Sequence, residues 1–144
     1  MSGTIETRSV SALMVGEYEN DRLLLIDLFR KLRWRLFEAR DRRRGMDCLG
    51  RHAVQVVLAE SGGSRWNWRR ILSDLRHLSC PPQLIVASRN ADRALWAEVF
   101  NIGGYDVLPR PFQADEVERV VAGARRNFDR PAHPSTLVTT GMTL

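Results

Sequence analysis

Two glutamates, a serine and an arginine carry most of the chemistry this chain can offer. Glu60 closes the run Val54 to Ala59, Val-Gln-Val-Val-Leu-Ala, and the cluster Ser61-Gly62-Gly63-Ser64 follows it. Glu17 comes just after Ser11 to Val15 and Gly16. Ser88 ends Gln83 to Ser88, and Arg110 sits in Pro109-Arg110-Pro111 after Tyr105 to Leu108. Each therefore stands at or just beyond the C-terminal end of a short apolar run. Paired carboxylates beside a hydroxyl and a cation suit Mg2+ and phosphoryl chemistry. Mg2+ takes oxygen ligands and keeps several waters. A carboxylate can accept a phosphoryl group as nucleophile, and a cation with a hydroxyl can hold the phosphoryl oxygens.

For these four positions to meet, the runs that carry them must be parallel strands. The Val54 to Ala59 run is apolar at five of six positions, which suits a strand buried on both faces. Helical stripes separate the runs. Leu24, Leu25, Leu28, Phe29 and Leu32 mark a first helix, with Asn20 as its cap and Asp21 favourable in its first turn. Trp34 to Ala39 reads as a second strand and Asp41 to Arg51 as a second helix. Trp68, Ile71, Leu72, Leu75 and Leu78 mark a third helix capped by Asn67. A fourth, capped by Asn90, presents Leu95, Trp96, Val99, Phe100 and Ile102, and core packing is the expectation for Trp96. Gly103-Gly104 ends it. The fifth helix opens at Gln113-Ala114-Asp115-Glu116 and turns Val117, Val120, Val121, Ala124 and Phe128 inward.

Five strand–helix pairs in strict alternation imply an α/β fold, a doubly wound parallel sheet with helices on both faces. Right-handed crossovers then bring every strand's C-terminal end to one edge, where open sheets of this kind gather ligands. Residues 1–10 read as a mobile lead-in, 11–128 as one domain, and 129–144 as a flexible tail or the start of a linker.

Composition narrows the classes. The chain is long enough for one domain with its own core. Its longest strongly apolar run, Leu23 to Ile26, is too short to span a bilayer, and the N-terminus has no basic and then apolar signal pattern. Cys48 and Cys80 lie far apart without metal-ligand partners, which reads as reduced thiols in a cytoplasmic protein. Net charge is +5 and Lys31 is the only lysine, so recognition of phosphate by arginine is a reading to weigh. The arginines are nevertheless interleaved with Asp and Glu, and the densest cluster, Arg40-Asp41-Arg42-Arg43-Arg44, contains an acid and adjoins a helix start. A solvated surface is the better account. His52, His77 and His133 show no ligand spacing, and no P-loop, Gly-x-Gly-x-x-Gly or Ser/His/Asp set occurs.

The segment Gly103-Gly104-Tyr105-Asp106-Val107-Leu108-Pro109-Arg110-Pro111-Phe112 resembles the fifth strand and following turn of response-regulator receiver domains, the CheY-like family. There, Gly-Ala is typically followed by two or three polar or aromatic residues and then Leu-Thr-Lys-Pro-Phe. Leu36-Phe37-Glu38-Ala39 is similar to the family's second strand, and Val56-Val57-Leu58-Ala59-Glu60 to its third. The resemblance spans about Ala12 to Phe128. It implies a flavodoxin-like three-layer sandwich with strand order 2-1-3-4-5 and a phosphoacceptor site at the sheet edge.

The departures bear on function. The family's acidic pair falls on Gly16 and Glu17, so one metal-binding acid is missing. The acceptor aspartate falls on Glu60, and the loop proline after it on Ser64. The hydroxyl is kept as Ser88. The lysine falls on Arg110, followed by Pro111, and a cis Arg110-Pro111 bond is expected. The aromatic switch position falls on Val107, with Tyr105 two residues earlier and expected on the same strand face. Glutamate projects its carboxylate one methylene further, a displacement to which in-line transfer is sensitive. One lost acid weakens the Mg2+ site, leaving Glu17 and Glu60 as its remnants. Arg110, a forked cation, is expected to pair with Glu60 or Glu17.

The resemblance, with these departures, implies an atypical receiver domain of bacterial signal transduction. It would be a protein-interaction module, not an enzyme, with weak or absent phosphorylation and no cofactor required. Its partners would be a histidine kinase, a phosphotransfer protein or an output domain, with a homodimer through the helix 4, strand 5 and helix 5 face. The alternative is a Mg2+-dependent phosphoacceptor with altered site residues. A small flavodoxin-like enzyme and a nucleic-acid-binding protein are the other classes left open.

Overall fold

The structure, a computed structural model, describes residues 9–62 and 67–130. The lead-in before Ser9, Ser64 and Trp66 in the loop after the third strand, and the tail from Pro131 lie outside the described residues. The elements are β1 (Ser11–Val15), α1 (Arg22–Leu32), β2 (Arg35–Ala39), α2 (Arg42–Arg51), β3 (Val56–Glu60), α3 (Trp68–Leu75), β4 (Gln83–Ser88), α4 (Arg93–Asn101), β5 (Asp106–Pro109) and α5 (Ala114–Phe128). The sheet is parallel in order β2-β1-β3-β4-β5, as the resemblance implied.

The central strand β3 buries Val56, Val57, Leu58 and Ala59 completely. Alternate side chains feed two cores, one on each face of the sheet. Met14, Val56, Leu58, Ile85 and Leu108 meet α1 and α5 through Leu25, Phe29, Val117, Val121 and Ala124. Leu13, Val57, Val86 and Val107 meet α3 and α4 through Ile71, Leu72, Leu75 and Val99. Helix α2 closes on β1 through Gly45, where a methyl group would lie 3.4 Å from Val15. Among the described residues no helix is long and apolar enough to cross a membrane.

Four local expectations change. Asp21, not Asn20, holds the N-cap position of α1. The cap of α4 is Asp92, whose carboxylate accepts from the Leu95 N–H at 2.9 Å. Asn90 lies before the helix because Ser88 Oγ holds its N–H. Trp96 is not core: it is 40% exposed and Phe100 48%, their ring centroids 5.3 Å apart. Helical spacing contains two stripes here, and the sheet takes Leu95, Val99 and Ile102, leaving the other outside. Tyr105 does not share a face with Val107. Strand β5 begins at Asp106, so alternation does not reach Tyr105, which packs on the α5 side while Val107 faces α4.

Candidate functional site

The C-terminal edge of the sheet assembles the residues singled out above. Glu60 is the last residue of β3, in register with Ala87, and Ser88 closes β4. The Arg110 N–H donates to the Ser88 carbonyl at 2.9 Å, placing the arginine just past β5. An open cleft of about 390 Å³ is lined by Glu17, Glu60, Ser88 and Arg110 among others.

Arg110 is the centre of this edge, and only 4% of its side chain is exposed. Its Nη1 donates to Glu60 Oε2 at 2.6 Å and its Nε to Asp21 Oδ2 at 2.8 Å. Glu60 Oε1 accepts from the Glu17 backbone N–H at 2.9 Å. Asp21 Oδ1 receives the Phe112 N–H at 3.4 Å. The guanidinium lies against the rings of Tyr18 and Phe112, 5.0 and 5.9 Å from their centroids. Burial opposes the Arg110 charge, but hydrogen bonds and charges from Asp21 and Glu60 outweigh it and raise its pKa. A planar fork reaches two carboxylates from different loops, which the point charge of a lysine would not do equally well.

Local backbone makes this possible. Gly16 adopts φ 138°, and a Cβ there would come within 2.5 Å of Glu60 Oε1 and 2.7 Å of Glu60 Cβ. Glu60, through its Cβ as well as its carboxylate, therefore occupies the room that a side chain at position 16 would need. Tyr18 takes a left-handed φ of 47° and tucks its ring into the core, fully buried. Its hydroxyl has no hydrogen-bond partner among the described residues. Burial, then the Glu60 charge, push its pKa well above the ordinary value. The Arg110-Pro111 bond is cis, as expected.

The expected positions divide as follows. Glu60, Ser88 and Arg110 come together, with exposed Pro111 continuing the turn. Glu17 contributes its backbone N–H to Glu60, while the residue as a whole is exposed. Tyr105 stands elsewhere, its hydroxyl close to Gly123 of α5. Asp21 is the residue that sequence reasoning missed. It holds the N-cap position of α1 without capping it, and its carboxylate is turned to Arg110 instead. One signal was available: Asp21 lies four residues before Leu25 on the buried stripe of α1, where an acid needs a partner.

Mg2+ is the ion this fold would lead one to expect, and the donor set does not suit it. Position 16 offers no carboxylate. Both oxygens of Glu60 and both of Asp21 already accept hydrogen bonds, and a guanidinium lies between the two acids. The guanidinium's charge opposes a second cation beside these acids, and the Glu17 carboxylate alone is a poor match for near-octahedral oxygen ligation. Among the described residues, no three His, Cys, Asp or Glu side chains are grouped to hold a metal.

The arginine cluster at the start of α2 is partly engaged within the chain. Arg42 pairs with Asp74 of α3, and Arg44 lies 3.7 Å from Asp41, the cap of α2.

No protein-family model matches the sequence, and no curated protein matches it significantly. Structure carries the likeness. The signal receiver domain of an HD domain-containing protein from Pseudomonas fluorescens Pf-5 matches at TM-score 0.71 and 21% identity, over 84% of this chain and 98% of that one. The signal receiver domain of a Luxo repressor protein from Vibrio parahaemolyticus matches at TM-score 0.74 and 16% identity, over 84% and 93%. A two-component system response regulator/GGDEF domain protein matches at TM-score 0.74 and 21% identity, over 88% of this chain but 53% of that one. The chain thus has the CheY-like fold of response-regulator receiver domains.

Proposed function

We propose that this chain is an atypical receiver domain that works through protein contacts and is not switched by aspartyl phosphorylation. One observation carries this reading. The carboxylate in the acceptor position is bound at both oxygens, by Arg110 and by the Glu17 N–H. Each oxygen keeps a second lone pair, but the guanidinium held on Glu60 draws down its nucleophilicity, and its charge opposes the metal that must neutralise the transferring group. Glu60 instead acts as a fixed charge that holds Arg110, imitating part of what an acyl phosphate would do. The domain then needs no cofactor and performs no reaction of its own. Its partners are proteins: an output domain, as in the GGDEF-containing neighbour, or a signalling kinase or phosphotransfer protein. The α4, β5 and α5 face, with Trp96 and Phe100 exposed on α4, is the surface offered for such contacts or for a second copy.

The test is incubation with acetyl phosphate and Mg2+, followed by intact-mass measurement. The expected outcome is no mass gain. A stable phosphoryl adduct mapped to residue 60 by fragmentation would overturn the proposal.

A further inference from the structure

We infer that the sheet edge is a built-in cation seat whose permanent occupant is the Arg110 guanidinium, and that this occupant excludes free divalent cations. The inference deepens the reading of Glu60 as a fixed charge, and it rests on that reading. Its new element is Asp21, on the opposite side of the guanidinium.

A cation seat needs negative oxygens, a low-dielectric wall and an aromatic face, and all three are present. Asp21 and Glu60 supply carboxylates at 2.8 and 2.6 Å, and their side chains are 9% and 16% exposed. Tyr18 and Phe112 supply rings, which attract a guanidinium through their quadrupoles. The seat is assembled from separate loops. Asp21 and Tyr18 come from the β1–α1 segment, Glu60 from the end of β3, and Arg110 with Phe112 from the β5–α5 turn. A cation here therefore ties three connections together. Because it is covalently part of the chain, its effective concentration does not depend on the medium. An exchangeable Mg2+ would have to displace it and desolvate in the same place. With two acids around one arginine, the carboxylates do not repel each other only while the seat is filled.

Emptying the seat exposes its selectivity. In Arg110→Ala, two facing acids lose their counter-ion, and the melting temperature should fall by about 10 °C or more. Free guanidinium at low millimolar concentration, far below denaturing levels, should return several degrees of that loss. Sodium chloride at the same ionic strength should not. The wild-type chain should ignore guanidinium and MgCl2 alike at these concentrations. Arg110→Lys provides the second arm, because an ammonium cannot span both acids in the same fork. It should melt below wild type, and it keeps the test alive if Arg110→Ala does not fold. Three results would each overturn the inference: rescue of Arg110→Ala by sodium equal to that by guanidinium, Arg110→Lys melting with wild type, or a Mg2+ stabilisation of wild type that Glu60→Gln abolishes. The phosphoryl experiment is independent of these melts, so an adduct at residue 60 and a failed rescue are separate outcomes.

Discussion

Arginine meets carboxylate in two settings in this molecule, and the settings decide what the pairing does. At the sheet edge, Arg110 and its acids are almost wholly removed from water. On the flanks, Arg22 pairs with Glu38 at 47% and 38% exposure, and Arg69 of α3 pairs with Glu98 of α4 at 50% and 38%. The chemistry is the same, including forked contacts in both flank pairs. Water screens the flank pairs, so their attraction is largely offset by hydration and side-chain entropy. The edge pair has no such alternative: removing one member strands a buried charge. The surface pairs link a helix to a neighbouring strand or helix, whereas the buried one ties three loops together.

The comparison can be broken most forcefully at Arg110. Arg110→Ala should lose about 3–5 kcal/mol in denaturant unfolding, and added salt should change that loss little. Next in size is Gly16→Ala, which meets Glu60 at 2.5 Å in a backbone conformation that side chains rarely adopt. It should lose about 1–3 kcal/mol, and Glu60→Gly in the same chain, which removes the Cβ at 2.7 Å as well as the carboxylate, should relieve the steric part, giving a double variant more stable than the sum of the singles. Arg69→Ala belongs to the flank class. Its melting temperature should stay within error of wild type, and any difference at low salt should vanish at high salt.

Asp106 sharpens the comparison from the side of titration. Burial raises its pKa above the ordinary 3.8, against a Val107 N–H bond and the charge of Arg119. A carboxyl raised in the folded state binds its proton more tightly there than in the unfolded chain. Stability therefore falls as pH rises through that window, and the penalty is present in full at neutral pH. Asp106→Asn should melt slightly higher than wild type near pH 7. The two should converge as pH falls below the ordinary aspartate value, which thermal melts across pH would show.

Much of the fold was legible because strand and helix periods alternate so regularly that few topologies remain. Glu60, Ser88 and Arg110 were legible for the same reason: topology alone delivers strand ends to one edge. Asp21 was not. An acid at a helix start looks like a dipole contact, and nothing local says that an arginine 89 positions later takes it instead. Trp96 was misread because Leu95/Val99 and Trp96/Phe100 both satisfy an i, i+4 spacing, and only the position of the sheet chooses between them. The expected Arg110–Glu60 pairing is present, but no local pattern marks the arginine as serving two acids at once.

The close fit of Gly16 against Glu60 also constrains how this chain can change over generations. An acid placed at position 16 alone collides with the side chain at 60. Shortening Glu60 to aspartate alone pulls the carboxylate back from its partners at 2.6 and 2.9 Å. Each of these single changes is thus worse than standing still, and even the joint change leaves the Cβ of residue 60 within 2.7 Å of a Cβ at position 16. Positions 16 and 60 are therefore coupled: what either can carry is set by the other.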